Sequence, residues 1–260
     1  MEQYKGMENK IINYPIIEAL CEFKFTPAQS WDITIPGIFY ERIKSEFPTK
    51  EQQVSFGVGF SPQKGTIEQK VELQQRIRFW RKDKSIVIQV GPNLLAMNHL
   101  KPYRTWEAFK PIILNNLKAY IEIVKPKSFN RIVLRYINQI VIDNYKGELS
   151  DYFNFYPLIP RELPRAHGPF NVRVEFPTEN RNELLLLNFA CSSISNGSSA
   201  TDFRLELNYI LKNAEALLFD QADDWIEKAK RALNDAFKAC ITEKCWRIFG
   251  GDKYGIHGIQ

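Results

Sequence analysis

The sequence predicts an α+β fold, and three observations predict it. Stretches alternating apolar and polar residues at period two recur along the chain, the mark of half-buried strands. Two long stretches of helical period, with Trp106 and Trp225 near their starts, each follow a run of several such strands. The tripeptide Lys82-Asp83-Lys84 joins two strands as a hairpin, which is an antiparallel connection.

Taken in order, an extended lead over residues 11–15 precedes a strand at 17–25, where Glu18, Glu22 and Lys24 interleave with apolar residues. Thr34 caps a helix with Pro36 in its first turn, an apolar stripe of Phe39, Ile43 and Phe47, and Pro48 as its stop. Residues 54–60 read as a strand despite two glycines. The hairpin strands 76–81 and 86–90 follow, and a strand at 94–99 comes after a Gly91-Pro92 turn. Thr105 caps a long helix striped by Trp106, Phe109, Ile113, Leu117, Tyr120 and Val124, with Pro111 in its first two turns. The pattern then restarts with a strand at 131–142 and a short helix at 149–155. Strands follow at 172–176, 184–189 and 203–210, and a last helix is striped by Trp225, Ala229, Leu233, Ala236, Phe237 and Cys240. Asp223 and Asp224 sit at its N-terminus, where the macrodipole favours negative charge.

Both halves thus run strand, helix, several antiparallel strands, long helix. Residue identity between them is low, so the duplication is architectural. The pattern is that of two TATA-binding-protein-like repeats, a curved antiparallel sheet with long helices on one face; a helix-grip arrangement is the alternative. The expected division is 7–128 and 129–249 as two half-repeats of one structural unit, with a flexible glycine-rich tail at 250–260.

Composition narrows the class. A hydrophobic fraction of 44% and a charged fraction of 25% are those of an ordinary globular domain, with too much apolar content for disorder. The net charge of +5 is mild because acidic residues offset most of the basic ones, so an anionic partner is compatible but not demanded. Cys21, Cys191, Cys240 and Cys245 form no CxxC pair and no zinc spacing. No signal-peptide pattern and no span-length apolar segment occurs, so the expected compartment is the cytoplasm, with no membrane partner. Residues 1–6 precede a second methionine, Met7, and carry no weight in the reading.

Four short segments carry a resemblance across nearly the whole chain, in order: Tyr14-Pro15-Ile16-Ile17-Glu18-Ala19, Lys101-Pro102-Tyr103-Arg104-Thr105-Trp106, Leu134-Arg135-Tyr136-Ile137-Asn138, and the closing stretch with Ile241-Thr242-Glu243. They resemble a sporadically distributed family of uncharacterised prokaryotic proteins of about this length. The resemblance implies a single-module protein whose patchy occurrence suits mobile-element or phage-defence cargo. It implies no catalytic residues.

Period two also assigns faces. If Phe203, Leu205, Leu207 and Tyr209 face the helices, Arg204, Glu206 and Asn208 face away; Arg173 and Glu175 oppose Val172, Val174 and Phe176, and Arg135 and Gln139 oppose Leu134, Tyr136 and Ile140. The polar face is either a binding surface or a solvated face with weak cross-strand pairs. The hairpin is the densest basic cluster, with Arg76, Arg78 and Trp80 on one face and Lys82 and Lys84 in the turn. An exposed tryptophan flanked by arginines can stack a base while the guanidiniums meet phosphates; the plainer reading is a charged edge that prevents edge pairing. Asn138 interrupts an apolar stripe and suits satisfaction of buried backbone groups.

Catalytic signatures are weak. His99, His167 and His257 have no metal-site spacing, and Gly57-Val58-Gly59 lacks the third glycine and following helix of a dinucleotide loop. Glu22-Phe23-Lys24 has the E-x-K form of metal-dependent nuclease strands, with Glu18 upstream, but such a site needs a converging second carboxylate. The polar stretch 192–199 is a loop joining two strands. The leading expectation is a non-enzymatic binding or adaptor protein without cofactor or metal, engaging a protein or nucleic acid through Arg76, Arg78, Trp80, Lys82, Lys84, Arg135, Gln139, Arg173 and Arg204. A nuclease-type effector using Glu18, Glu22 and Lys24, or a small-molecule sensor, is the alternative.

Overall fold

The computed structural model describes residues 15–59, 70–145, 148–160, 162–163, 168–191 and 200–250, with the side chains of 54–59 and 70–75 left aside. The lead before Pro15, Phe60, His167, His257, the 192–199 stretch and the tail beyond Gly250 lie outside the described residues.

Among the described residues nine strands form one open antiparallel sheet: β1 (Ile16–Thr26), β2 (Thr49–Gly59), β3 (Lys70–Trp80), β4 (Ile86–Gly91), β5 (Leu94–Leu100), β6 (Ser128–Asp143), β7 (Phe170–Pro177), β8 (Glu183–Cys191) and β9 (Ala200–Lys212). Their order is β2-β3-β4-β5-β1-β6-β9-β8-β7. The helices are α1 (Ile35–Ile43), α2 (Trp106–Val124), α3 (Ala222–Cys240) and α4 (Glu243–Ile248). The fold is α+β. Among the described residues no helix is long and apolar enough to cross a membrane.

The chain divides into two compact units. Of the described residues, the first takes those within Glu18–Leu134 and Ile210–Ile226; the second takes those within Arg135–Tyr209, those from Glu227 on, and those from Pro15 to Ile17.

In the first unit β1 lies antiparallel on β5, and β5, β4, β3 and β2 continue as antiparallel neighbours. Alternation sends Phe23 and Phe25 of β1 toward α2, where the Phe25 and Tyr120 rings stack at 4.7 Å and Phe129 joins them at 5.5 Å. Phe39 of α1 meets Phe79 of β3 and Tyr120 of α2. These aromatic rings are buried. The Thr105 hydroxyl accepts from the Ala108 N–H at 3.2 Å, the expected cap, and α2 runs on through Pro111. Thr34 does not cap α1: its hydroxyl donates to Asp32 Oδ1 at 2.8 Å, and its N–H donates to the same oxygen. Asp32, two residues earlier, competes successfully for the hydroxyl and builds an Asx turn instead.

In the second unit β7 pairs antiparallel with β8. Phe153, Phe189 and Phe203 cluster with centroids 4.5–5.8 Å apart. The helix expected over 149–155 shortens to a single 3-10 turn at Leu149–Asp151. The chain then extends so that Phe153 bridges Ile241 and its ring enters the core, which a continued helix would prevent. α4 starts at its own cap, where the Thr242 hydroxyl accepts from the Cys245 N–H. All four cysteines are buried, and none is in a disulfide.

Candidate functional site

Residues directly across antiparallel strands share a face, so the pairing registers of the first unit lay out the side of the sheet opposite to Phe79 and Phe23. One row reads Glu51, Arg78, Gln89, Ala96, Glu22 from β2 through β3, β4 and β5 to β1. The next reads Thr49, Trp80, Val87, Asn98, Leu20. Arg76 and Lys24 fall on the same face by period two. The basic hairpin and the E-x-K strand, fifty residues apart in sequence, therefore belong to one surface.

Acidic residues are woven through it. The Trp80 indole N–H donates to Glu51 Oε2 at 2.8 Å, and the Lys84 ammonium stands 5.4 Å from the Trp80 ring centroid. Arg78 lies across from Glu51, half-buried, with its Nε buried and without a hydrogen-bond partner. Gln89 and Asn98 are buried polar residues linked in series: the Gln89 amide donates to Asn98 Oδ1 at 2.7 Å, and the Asn98 amide donates to Glu18 Oε1 at 2.6 Å. Lys82 and Lys84 are exposed in the hairpin turn, which Asp83 holds by accepting from the Ser85 N–H and hydroxyl. Those two bonds keep the Asp83 carboxyl below its usual range, chiefly through the hydroxyl.

Glu18, Glu22 and Lys24 lie half-buried along the same face of β1. Glu18 and Glu22 are four residues apart, about 13 Å along an extended strand, too far to share one ion. Among the described residues no group of three or more His, Cys, Asp or Glu side chains could hold a metal. His99 is a core residue: its Nδ1–H donates to the Leu100 carbonyl at 2.9 Å, and its ring packs edge-on against Tyr103 and Phe109. Burial holds it below the ordinary histidine value.

The second unit has the same alternation. Phe203, Leu205 and Leu207 of β9 are buried while Asp202 and Arg204 are exposed. Arg135 lies 3.6 Å from Glu206, the Gln139 amide donates to Asp202 at 2.7 Å, and Arg173 pairs with Glu175 at 2.8 Å on β7. Asn208 is buried and donates to Glu206, and Arg204 stands exposed between the acidic side chains of its strand. Asn138 serves the buried backbone, its amide donating to the Leu205 carbonyl at 3.1 Å.

No protein-family model matches the chain, and no curated protein matches it.

Sequence reasoning missed Glu51 as the partner of Trp80, and Gln89 and Asn98 as the buried link to Glu18. Only the polar interruptions in the apolar runs 86–90 and 94–100 signalled the second pair. It also missed Glu183, whose buried carboxylate accepts from the Tyr209 hydroxyl at 2.7 Å and pairs with Lys228 at 2.6 Å on the helix side.

Proposed function

We propose that this chain is a non-enzymatic binding protein that takes a protein partner on the face of its sheet turned away from the helix-packed core. The observation that carries the reading is the charge pattern of that face: basic side chains stand beside acidic ones, as in Glu51 across from Arg78 at the β2–β3 edge of the first unit and Arg135 beside Glu206 in the second, while Leu20, Leu94 and Ala96 form a buried apolar cluster on the β1–β5 part. Such a surface is close to neutral over short distances yet rich in directional donors and acceptors, which suits a complementary protein surface. A nucleic acid calls for concentrated, uncompensated positive charge. Here the Trp80 N–H is engaged by Glu51 and its ring is approached by Lys84, so a base would have to displace the lysine in order to stack there.

The reading includes a duplicated, TATA-binding-protein-like architecture. What supports it is the strand order: β1 and β6 stand side by side, and each pairs on its outer side with the last strand of its own half, β5 or β9. The next strands outward are β4 and β3 in one half and β8 and β7 in the other. The expected partner is encoded alongside this protein in a defence or mobile-element cassette.

Affinity capture from nuclease-treated lysate of the native host tests the reading. Lys24 and Arg204 have no acidic partner among the described residues, so reversing them perturbs the face with little effect on folding. The wild type should retain one protein in stoichiometric amount, Lys24→Glu with Arg204→Glu should lose it, and Lys118→Glu on the exposed side of α2 should keep it. Retention by the double variant, or recovery of nucleic acid alone from untreated lysate, would overturn the reading.

A further inference from the structure

In the second unit β7 ends the sheet order, and among the described residues its one neighbour is β8. The pairing fixes where its backbone groups point. One step beyond the Pro177–Leu184 pair, the Thr178 N–H donates to the Glu183 carbonyl at 3.3 Å, so those two residues form a hydrogen-bonded pair. Such pairs recur at every second residue, so Val172, Val174 and Phe176 turn their N–H and C=O groups toward β8. Asn171, Arg173 and Glu175 turn theirs toward the outer edge.

An edge of this kind is a template for another strand, and proteins block it with bulges, inward charges or prolines. The register of β7 with β8 runs unbroken from Phe170 to Pro177, and its single proline is its last residue. Val172 and Val174 are half-buried on the side of the Phe189 ring, and Phe176, on that same side, is 42% exposed. Arg173 and Glu175 stand exposed on the other side, 2.8 Å apart. Their charges are opposite, so they obstruct only a strand that places like charges against them.

That condition selects the occupant. An antiparallel partner is read in reverse, and about Val174 this strand is complementary to its own reverse. With Val174 on a two-fold axis, Arg173 falls opposite Glu175 of the second copy, and Glu175 opposite Arg173 of the second copy. Val172 falls opposite Phe176, a β-branched residue against an aromatic one. The backbone agrees, because residues 173 and 175 both turn outward and can exchange their N–H···O=C bonds. Centring on Arg173 or Glu175 would set like charges directly opposite. Centring on Val172 or Phe176 would carry one charge of each copy past the strand end.

We propose that β7 pairs antiparallel with β7 of a second copy of this chain, about a two-fold axis at Val174. Arg173 and Glu175 of the two copies then form one alternating row of four charges. The contact is a single strand pair, which gives a weak dimer that depends on concentration. It uses the strand edge and needs nothing bound to the face of the sheet.

The test is sedimentation velocity of the full chain from about 1 to 300 μM, the range of weak complexes. The wild type should pass from monomer to dimer across it. Arg173→Glu and Glu175→Arg should each weaken the dimer at least about tenfold, since each turns two attractive cross-strand pairs into repulsive ones. Mixing the two variants should restore association as a heterodimer, because every cross-strand charge pair is again of opposite sign. Val174→Cys reads the register: facing Cα atoms of a non-hydrogen-bonded pair stand about 4.5 Å apart, within disulfide reach. Val172→Cys would set its two copies about 14 Å apart. Mild oxidation should therefore link Val174→Cys into a covalent dimer and leave Val172→Cys unlinked. A wild type that stays monomeric throughout would overturn the proposal. So would association unchanged in both charge variants, a mixture no stronger than either variant alone, or Val172→Cys linking as readily as Val174→Cys.

Discussion

Removing a single oxygen atom tests how the second unit is anchored. Glu183 opens β8 with its side chain only 3% exposed, and a buried carboxylate is stable only where donors replace its lost water. Tyr209 of β9 donates to Glu183 Oε2 at 2.7 Å, and Lys228 of α3 reaches the same oxygen at 2.6 Å. Burial, reinforced by the Glu183 bond and charge, pushes the Tyr209 hydroxyl up, so it remains a donor through the neutral and mildly alkaline range. Tyr209→Phe deletes the donor and keeps the ring. A hydrogen bond to a charged acceptor is worth about 1.5–3 kcal/mol, and because Lys228 still balances the charge, a loss of about 2 kcal/mol is expected. For a chain of this size that lowers the melting temperature by roughly 4–8 °C. Lys228→Ala should cost about as much or more: it leaves the carboxylate uncompensated, though the half-exposed lysine recovers hydration in the wild type. A double-mutant cycle read by urea unfolding should show coupling between the two positions above about 0.5 kcal/mol. A Tyr209→Phe protein within about 0.5 kcal/mol of wild type, with no coupling to Lys228, would refute the claim that this cluster anchors β8, β9 and α3.

Two further predictions concern the first unit. Thr105→Ala removes the acceptor for the Ala108 N–H at the start of α2 and should cost about 1 kcal/mol in urea unfolding; Thr34→Ala, whose hydroxyl serves Asp32 and not α1, should cost α1 no cap. His99 makes stability depend on pH. Burial lowers its native value, with Arg81 and Arg104 lowering it further, while its bond to the Leu100 carbonyl and Asp83 raise it. The unfolded chain therefore takes up a proton first as pH falls below about 6.5, and stability falls from there toward the native value, with no contribution above it. Thermal melts between pH 7.5 and 5.5 should show wild type losing more stability on acidification than His99→Phe; equal losses would mean that the buried ring does not drive the dependence.

Local pattern carried much of the fold. The strand at 203–210, the hairpin around Asp83 and the stripe of α2 were legible because period two and period 3.6 are properties of a single segment. The faces of Arg135, Arg173 and Arg204 followed from the same alternation. What alternation does not contain is which strand lies beside which. Trp80 was readable as a residue flanked by arginines, but its bond to Glu51 depends on the β2–β3 register, which neither strand contains alone. Glu18 and Asn98 meet because β1 pairs with β5, across an 80-residue separation. The 3-10 turn at Leu149–Asp151 was overestimated as a helix because the pull of Phe153 toward Ile241 comes from distant residues.

The central claim is that the polar face of the sheet meets a protein, and site-specific photo-crosslinking in the native host tests it most directly. A photoreactive residue is placed at Arg204, exposed on β9, and separately at Lys118, exposed on α2. The account predicts one discrete protein adduct from position 204 and none from 118. Adducts from 118 with none from 204, or adducts from 204 that consist of nucleic acid, would contradict it.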